Sequence, residues 1–166
     1  MSTPRTNRLS RTAAKEVPHR GDHRYFAAKA EVRTLTEDLE HDLRHSAAHA
    51  HVVADFRHAL AQVADLLHDL DPHADGARNQ VRDLAKEVQH LALAHTWVSH
   101  GERVRVRLSV HGPHAVREAL DQAQDSVVWC VRAGHWDGQL TAAVTVLERA
   151  VKDAEVHAAR VIAASA

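Results

Sequence analysis

Residues 22–71 contain neither glycine nor proline, and their hydrophobic positions recur at intervals of three and four. This spacing predicts one very long helix or two helices in tandem. The segment 46–50 interrupts the register and is the predicted bend. From Val53 to Leu70 the intervals alternate strictly between three and four, as along the seam of a left-handed coiled coil. A continuous helix over this run would be about 70 Å long, which favours an elongated molecule or an oligomer.

A reversal of the chain is predicted where Pro72 and Gly76 lie close together. After it, a second seam has the same alternating intervals. Two seams joined by a short turn are expected to pack as an antiparallel pair, so residues 22–100 are predicted to form a long helical hairpin. The positions of the second seam are Val81, Leu84, Val88, Leu91, His95 and Val98.

Residues 103–110 follow a different pattern, in which polar and apolar residues alternate. A period of two is typical of a strand. No convincing partner strand is found elsewhere in the chain, and we therefore favour a helix that continues through this segment.

Two shorter amphipathic helices are predicted at residues 113–133 and 138–164, each preceded by glycine-containing turns. The predicted fold class is all-α, an elongated antiparallel helical hairpin or four-helix bundle with coiled-coil-like seams. Residues 22–166 would form a single domain. Residues 1–21 are polar, contain two prolines and carry mainly basic charge, and we expect a disordered basic arm there.

The composition restricts the functional classes that need to be considered. Hydrophobic residues make up 45% of the 166 positions and charged residues 26%, as in a soluble globular domain. A net charge of −1 argues against a globally basic nucleic-acid-binding protein, apart from the arm. The single Cys130 excludes an intramolecular disulfide, and no apolar run approaches the roughly 18 residues that span a bilayer. We expect a cytoplasmic protein without membrane contact.

Histidine is unusually abundant, with sixteen residues. The sharpest pattern is His41, His45 and His49, at intervals of four. Side chains four apart lie on one face of a helix, where neighbouring imidazoles can chelate a divalent metal ion. Helical phase places these histidines away from the apolar seam, so solvent-exposed histidines without a metal are the favoured alternative. No other cofactor is predicted.

His95 differs from the other histidines because it occupies a seam position between Leu91 and Val98. A polar side chain at such a position is expected to be a buried, hydrogen-bonded core residue more often than a metal ligand. If it is buried in the neutral form, its protonation at low pH should cost stability.

Two sets of residues could form an interaction surface. Trp97 and Trp129 lie off the seams of their helices and could contact a partner, or could fill the centre of a bundle. The basic row Arg103, Arg105 and Arg107 would face phosphates together on a strand but would splay around a helix.

The chain resembles HEPN-type RNases in one local feature, an arginine followed by four to six residues and a histidine. Arg44 with His49, Arg105 with His111 and Arg107 with His114 fit that spacing. About five such matches are expected by chance in a chain this rich in both residues, so the spacing is weak support for the metal-independent cleavage that the resemblance implies.

These observations favour a non-catalytic helical bundle that acts through helix–helix association, with itself or with a helical protein partner. A histidine-rich metal-binding bundle is the first alternative. The HEPN-like RNase is the weaker one.

Overall fold

The computed structural model describes residues 20–108 and 112–166, with side chains described from His23 onward. It contains five helices in these residues, which confirms the all-α class. The predicted disordered arm lies largely outside the described residues. The helices are α1 (Arg20–Arg44), α2 (Ala50–Asp69), α3 (Ala77–Leu108), α4 (His114–Ala133) and α5 (Gly138–Ala164).

The bend predicted at residues 46–50 coincides with the break between α1 and α2. The chain folds back there rather than continuing in tandem. This is shown by the ion pair between Arg57 of α2 and Glu40 near the end of α1, two residues that tandem helices would hold far apart. Residues 45–49, which we call the junction, therefore connect two antiparallel helices.

The central helix is α3, which contacts each of the other four helices. Among the described residues, no Cα atom of α1 comes within 8 Å of α4 or α5. Helix α3 thus lies between α1 and α2 on one side and α4 and α5 on the other, and its residues from about 90 to 102 contact both sets. A helix covered in this way must bury more than one face, and α3 buries both Leu91 and Leu108 completely.

The segment 103–108 is helical and forms the last turns of α3. Val104 and Leu108 are buried, whereas Val106 between them is 77% exposed. A strand would have placed these three side chains on the same face. Residues 109 and 110 of the alternating run lie outside the described part of the chain.

Helices α1, α3 and α5 run in the same direction. Ser46, just after α1, contacts His95 of α3. The positive charges of Arg82 and of Arg24 lower the pKa of Arg78, which places the start of α1 beside the start of α3. The α4–α5 turn lies beside the middle of α3, where His90 Nδ1 donates to the carbonyl of Trp136 at 2.7 Å. Closer to the C-terminus of α3, His100 pairs with Glu155 of α5. Helix α1 therefore packs parallel to α3, so the antiparallel course predicted over residues 22–100 is wrong for α1. The two predicted seams lie on α2 and α3, which are joined by the short turn between them, with Phe56 of α2 beside His95 of α3.

The turn between α4 and α5 is closed by glycine and tryptophan. Gly134 has a φ of 75°, the left-handed conformation that commonly ends a helix, and His135 N–H bonds the carbonyl of Cys130 at 3.0 Å. Trp136 is 4% exposed, and its indole N–H donates to the carbonyl of Val131 at 3.0 Å. This tryptophan fixes the turn from inside.

Gly101 offers a test of the packing of α3 against α4 and α5. A Cβ atom added there would lie 3.4 Å from Val151 Cγ2 and 3.6 Å from Leu120 Cδ1, which are ordinary contacts. Because alanine favours a helix interior over glycine by about 1 kcal/mol, Gly101→Ala should raise the free energy of unfolding by about 0.5–1 kcal/mol. Gly101→Leu should lower it by about 1–3 kcal/mol through overpacking. Chemical denaturation of both variants checks this, and a destabilised Gly101→Ala would show that α3 and α5 pack more tightly than described.

Candidate functional site

The junction is fastened to α3 at three successive points. Ser46 Oγ lies 2.7 Å from His95 Nε2, the Ala47 N–H donates to Ser99 Oγ at 3.1 Å, and His49 Nε2 lies 3.4 Å from Glu102 Oε2. The three α3 residues follow one another at helical spacing along one face. They supplement the backbone hydrogen bonds at the two ends of the junction, where the His45 N–H donates to the Asp42 carbonyl at 3.1 Å and the His49 carbonyl accepts from the Val53 N–H at 3.0 Å.

His95 is buried at 5% exposure, and the Phe56 ring meets its imidazole edge-on at 5.5 Å. Burial lowers its pKa, and nearby Arg103 lowers it further, whereas Asp42 acts in the opposite direction. Ser46 Oγ already accepts the Ala48 N–H at 3.1 Å, so its own hydrogen is available to donate to Nε2. This arrangement suits a neutral imidazole.

Replacing His95 with leucine should change the pH dependence of stability. The folded pKa of His95 lies below its unfolded value, so its neutral form stabilises the fold above about pH 6.5 and this contribution is lost as pH falls through the folded pKa. His95→Leu should therefore raise the free energy of unfolding more at pH 5.5 than at pH 8. Denaturant titrations at both pH values measure the difference, and an equal effect at both would contradict it.

A second polar cluster joins α3 to α4 beside the junction. Glu102 and Gln124 are 7% and 6% exposed, and Gln124 Nε2 donates to Glu102 Oε1 at 2.8 Å. The Arg105 guanidinium donates to Gln124 Oε1 at 2.9 Å, pairs with Asp121 and lies 3.6 Å from Glu102. The buried carboxylate thus has partners on several sides, as the cost of burying a charge requires.

Two open grooves border these clusters. One, of ≈290 Å³, exposes the pair His49–Glu102 together with Arg105 and Asp121. The other, of ≈210 Å³, lies over His95 between the end of α1 and α3. A histidine beside a buried carboxylate could transfer a proton. The hydroxyls of Ser46 and Ser99 are both engaged with the junction backbone, so these two serines hold the segment in place rather than serving as free nucleophiles.

The three predicted metal ligands are not brought together. His41 and His45 approach edge-on with ring centroids 5.2 Å apart, but α1 ends at Arg44, and His49 instead stacks on His51 at 5.7 Å. Across the described part of the chain, no group of three or more His, Cys, Asp or Glu side chains is arranged to hold a metal ion.

The arginine row is divided between solvent and interior, because it lies on a helix. Arg103 and Arg107 are exposed, whereas Arg105 turns into the α3–α4 cluster. Trp97 is half-buried, with the Lys152 ammonium 5.8 Å from its ring centroid, and Trp129 is 59% exposed. The residues considered for an interaction surface therefore do not share one face.

The arginine–histidine pairs of the RNase hypothesis point to separate partners. Arg44 lies 4.0 Å from Glu40 on α1, whereas His49 faces Glu102 on α3. His114 lies near Glu118 within α4. His111 is outside the described residues.

Glu102 and Gln124 were not among the site residues predicted from sequence. The seam intervals contained a signal for Glu102, since one further step of four from Val98 reaches it. Gln124 lies between Leu120 and Val127 on the buried face of α4. Because glutamine is polar, nothing in the sequence distinguishes it from a surface residue.

Of the helices that the structure describes, none combines the length and apolar character needed to cross a membrane. A comparison with protein-family models found no matching model, and comparisons with curated proteins and with solved structures found no significant match.

Proposed function

We propose that this protein is a non-catalytic helical bundle that acts through helix–helix association, foremost with further copies of itself. The observation that carries the proposal is the number of large apolar side chains left in contact with solvent. Exposed apolar side chains mark an association surface where they form a contiguous patch. Among the residues that the structure describes, eight are 47–77% exposed: Phe26, Leu66, Leu93, Val106, Trp129, Val146, Val156 and Ile162.

The buried polar groups support a structural role. The buried side chains His95, Ser99, Glu102 and Gln124 each bond the junction or a neighbouring helix. Because these polar groups are engaged in hydrogen bonds within the fold, few of them are available to act on a substrate. The seam residues of α3, among them Val81, Val88 and Val98, are fully buried, which supports coiled-coil-like packing within one elongated domain. With a single buried Cys130, a reducing cytoplasm is the proposed setting.

Association that favours the folded state should make thermal stability depend on protein concentration. We expect the midpoint of unfolding to rise as the concentration increases over about a hundredfold range. Circular dichroism or scanning calorimetry provides the measurement. A midpoint that stays constant over that range would count against self-association coupled to folding.

Weak metal binding is a second candidate, favoured by the contact between His41 and His45. Two imidazoles in contact, one in the last turn of α1 and one just after it, can share a divalent ion, with water completing its coordination. His45→Ala should then abolish binding of nickel or zinc in calorimetric titration, whereas His68→Ala, which changes an exposed histidine on α2, should leave it intact. Equal binding by the two variants would exclude this pair as the site.

A further inference from the structure

Helices α1 and α2 form an open groove of ≈560 Å³, none of whose lining residues belongs to α4 or α5. Its apolar part comes from α2, where Ala61 and Ala64 are exposed beside the largely buried Leu60. Its rim is charged. The residues that line it from α1 are Thr36, Glu37, Glu40, His41 and Arg44, and those from α2 are Arg57, Leu60, Ala61 and Ala64.

Four exposed residues of α1 lie in one line along this side. At about 100° per residue, Phe26, Arg33, Glu37 and Arg44 fall within about 40° of one another around the helix axis. Phe26 is 57% exposed and lies about 27 Å from Arg44 along α1. We call this line and the groove beside it the α1–α2 face.

The order of these four residues is self-complementary. Phe26 and Arg44 are each nine positions from Leu35, and Arg33 and Glu37 are each two positions from it. A two-fold axis through that point would place Arg33 opposite Glu37 of a second copy, and Phe26 opposite Arg44 of the second copy. Both contacts would form twice, as an isologous interface requires.

Two of the three charges in this line are unpaired within one copy. Neither Arg33 nor Glu37 forms an ion pair with any residue that the structure describes. The Arg44 side chain is 65% exposed, and its closest approach to the Glu40 carboxylate is a long 4.0 Å. A cation–π contact between the Phe26 ring of a second copy and the Arg44 guanidinium would be favourable. Arg57, which lines the groove, would be a second guanidinium near the same ring.

We propose that the α1–α2 face binds the same face of a second copy, with the two α1 helices antiparallel and Phe26 of each copy placed in the groove of the other. This inference rests on the proposed self-association and names its surface. A parallel arrangement would bring Arg33 against Arg33 and Glu37 against Glu37, which repel. The charge order therefore selects the antiparallel arrangement.

Charge reversal tests the pairing directly. Arg33→Glu and Glu37→Arg should each weaken dimerisation by about tenfold or more, because each creates two like-charge contacts. The double variant Arg33→Glu/Glu37→Arg should regain affinity, since its pairs are again opposite in charge. An equimolar mixture of the two single variants should associate more tightly than either alone. Sedimentation velocity of the full chain provides the dissociation constants.

Two controls keep the result specific. Arg149→Glu makes the same charge change on an exposed position of α5 and should leave the dissociation constant unchanged. Phe26→Ala should weaken dimerisation, whereas Trp129→Ala on the distant α4 should not. Circular dichroism confirms that each variant is folded.

The outcomes separate the two proposals. A dimer that is indifferent to both single reversals, or that is lost on Trp129→Ala, would overturn the α1–α2 face while leaving self-association intact. A wild-type chain that remains a monomer at all concentrations would overturn self-association itself.

Discussion

Phe56→Ala is expected to lower the free energy of unfolding by about 3–5 kcal/mol. Phe56 is completely buried in α2, and its ring packs edge-on against His95 on α3. Removing it opens a cavity where α2, α3 and the junction meet. Urea titration monitored by circular dichroism measures the loss.

Val106→Ala is the matched control for this substitution, because Val106 is 77% exposed near the end of α3. Its effect should stay within about 0.5 kcal/mol. A loss below about 1 kcal/mol for Phe56→Ala would contradict the packing of α2 against α3 described here.

Glu102→Ala should cost about 3 kcal/mol, the second-largest expected effect. The substitution leaves the buried Gln124 amide without its acceptor and removes a charged neighbour of Arg105. It also releases His49 at the start of α2. Denaturation at neutral pH measures the change.

Glu102→Gln separates hydrogen bonding from charge. Its side-chain oxygen can still accept from Gln124, so most of the stability should remain. Glu118→Ala, on an exposed side chain of α4, should change stability by less than about 0.5 kcal/mol. If Glu102→Ala were equally mild, the α3–α4 cluster would have to be solvated rather than buried.

The sequence was sufficient to predict the helices, because their hydrophobic intervals and turn residues are local signals. The change of register at residues 46–50 predicted the break between α1 and α2. The segment 103–108 was ambiguous because alternate residues are arginine, and the burial of Val104 and Leu108 settles it as helix. In this segment the α4 and α5 contacts outweigh the local alternation.

The arrangement of the helices was harder to predict. The apolar spacing on both sides of the bend suggested one long helix or two in tandem, whereas α2 folds back and leaves α1 parallel to α3. Seam spacing states which residues are buried but not against which helix. His95 lies where its seam interval places it, and its contact with Ser46 depends on a junction whose path no local pattern specifies.

The polar site shows the same division between local and tertiary signals. Glu102 follows the seam spacing, but a glutamate is expected at the surface on the basis of sequence alone. Its burial depends on its partners Gln124 and Arg105, which only the tertiary structure identifies. Likewise, the interval of four between His45 and His49 suggested a shared face, and the end of α1 at Arg44 removes it.

The most direct test of the central claim, self-association through helical faces, is the molar mass of the full chain by light scattering at increasing concentration. A chelator in the buffer excludes bridging by metal ions. Self-association predicts a mass that rises from 18.4 kDa towards that of two copies as concentration increases from micromolar levels upward. A mass that stays at 18.4 kDa throughout would contradict it.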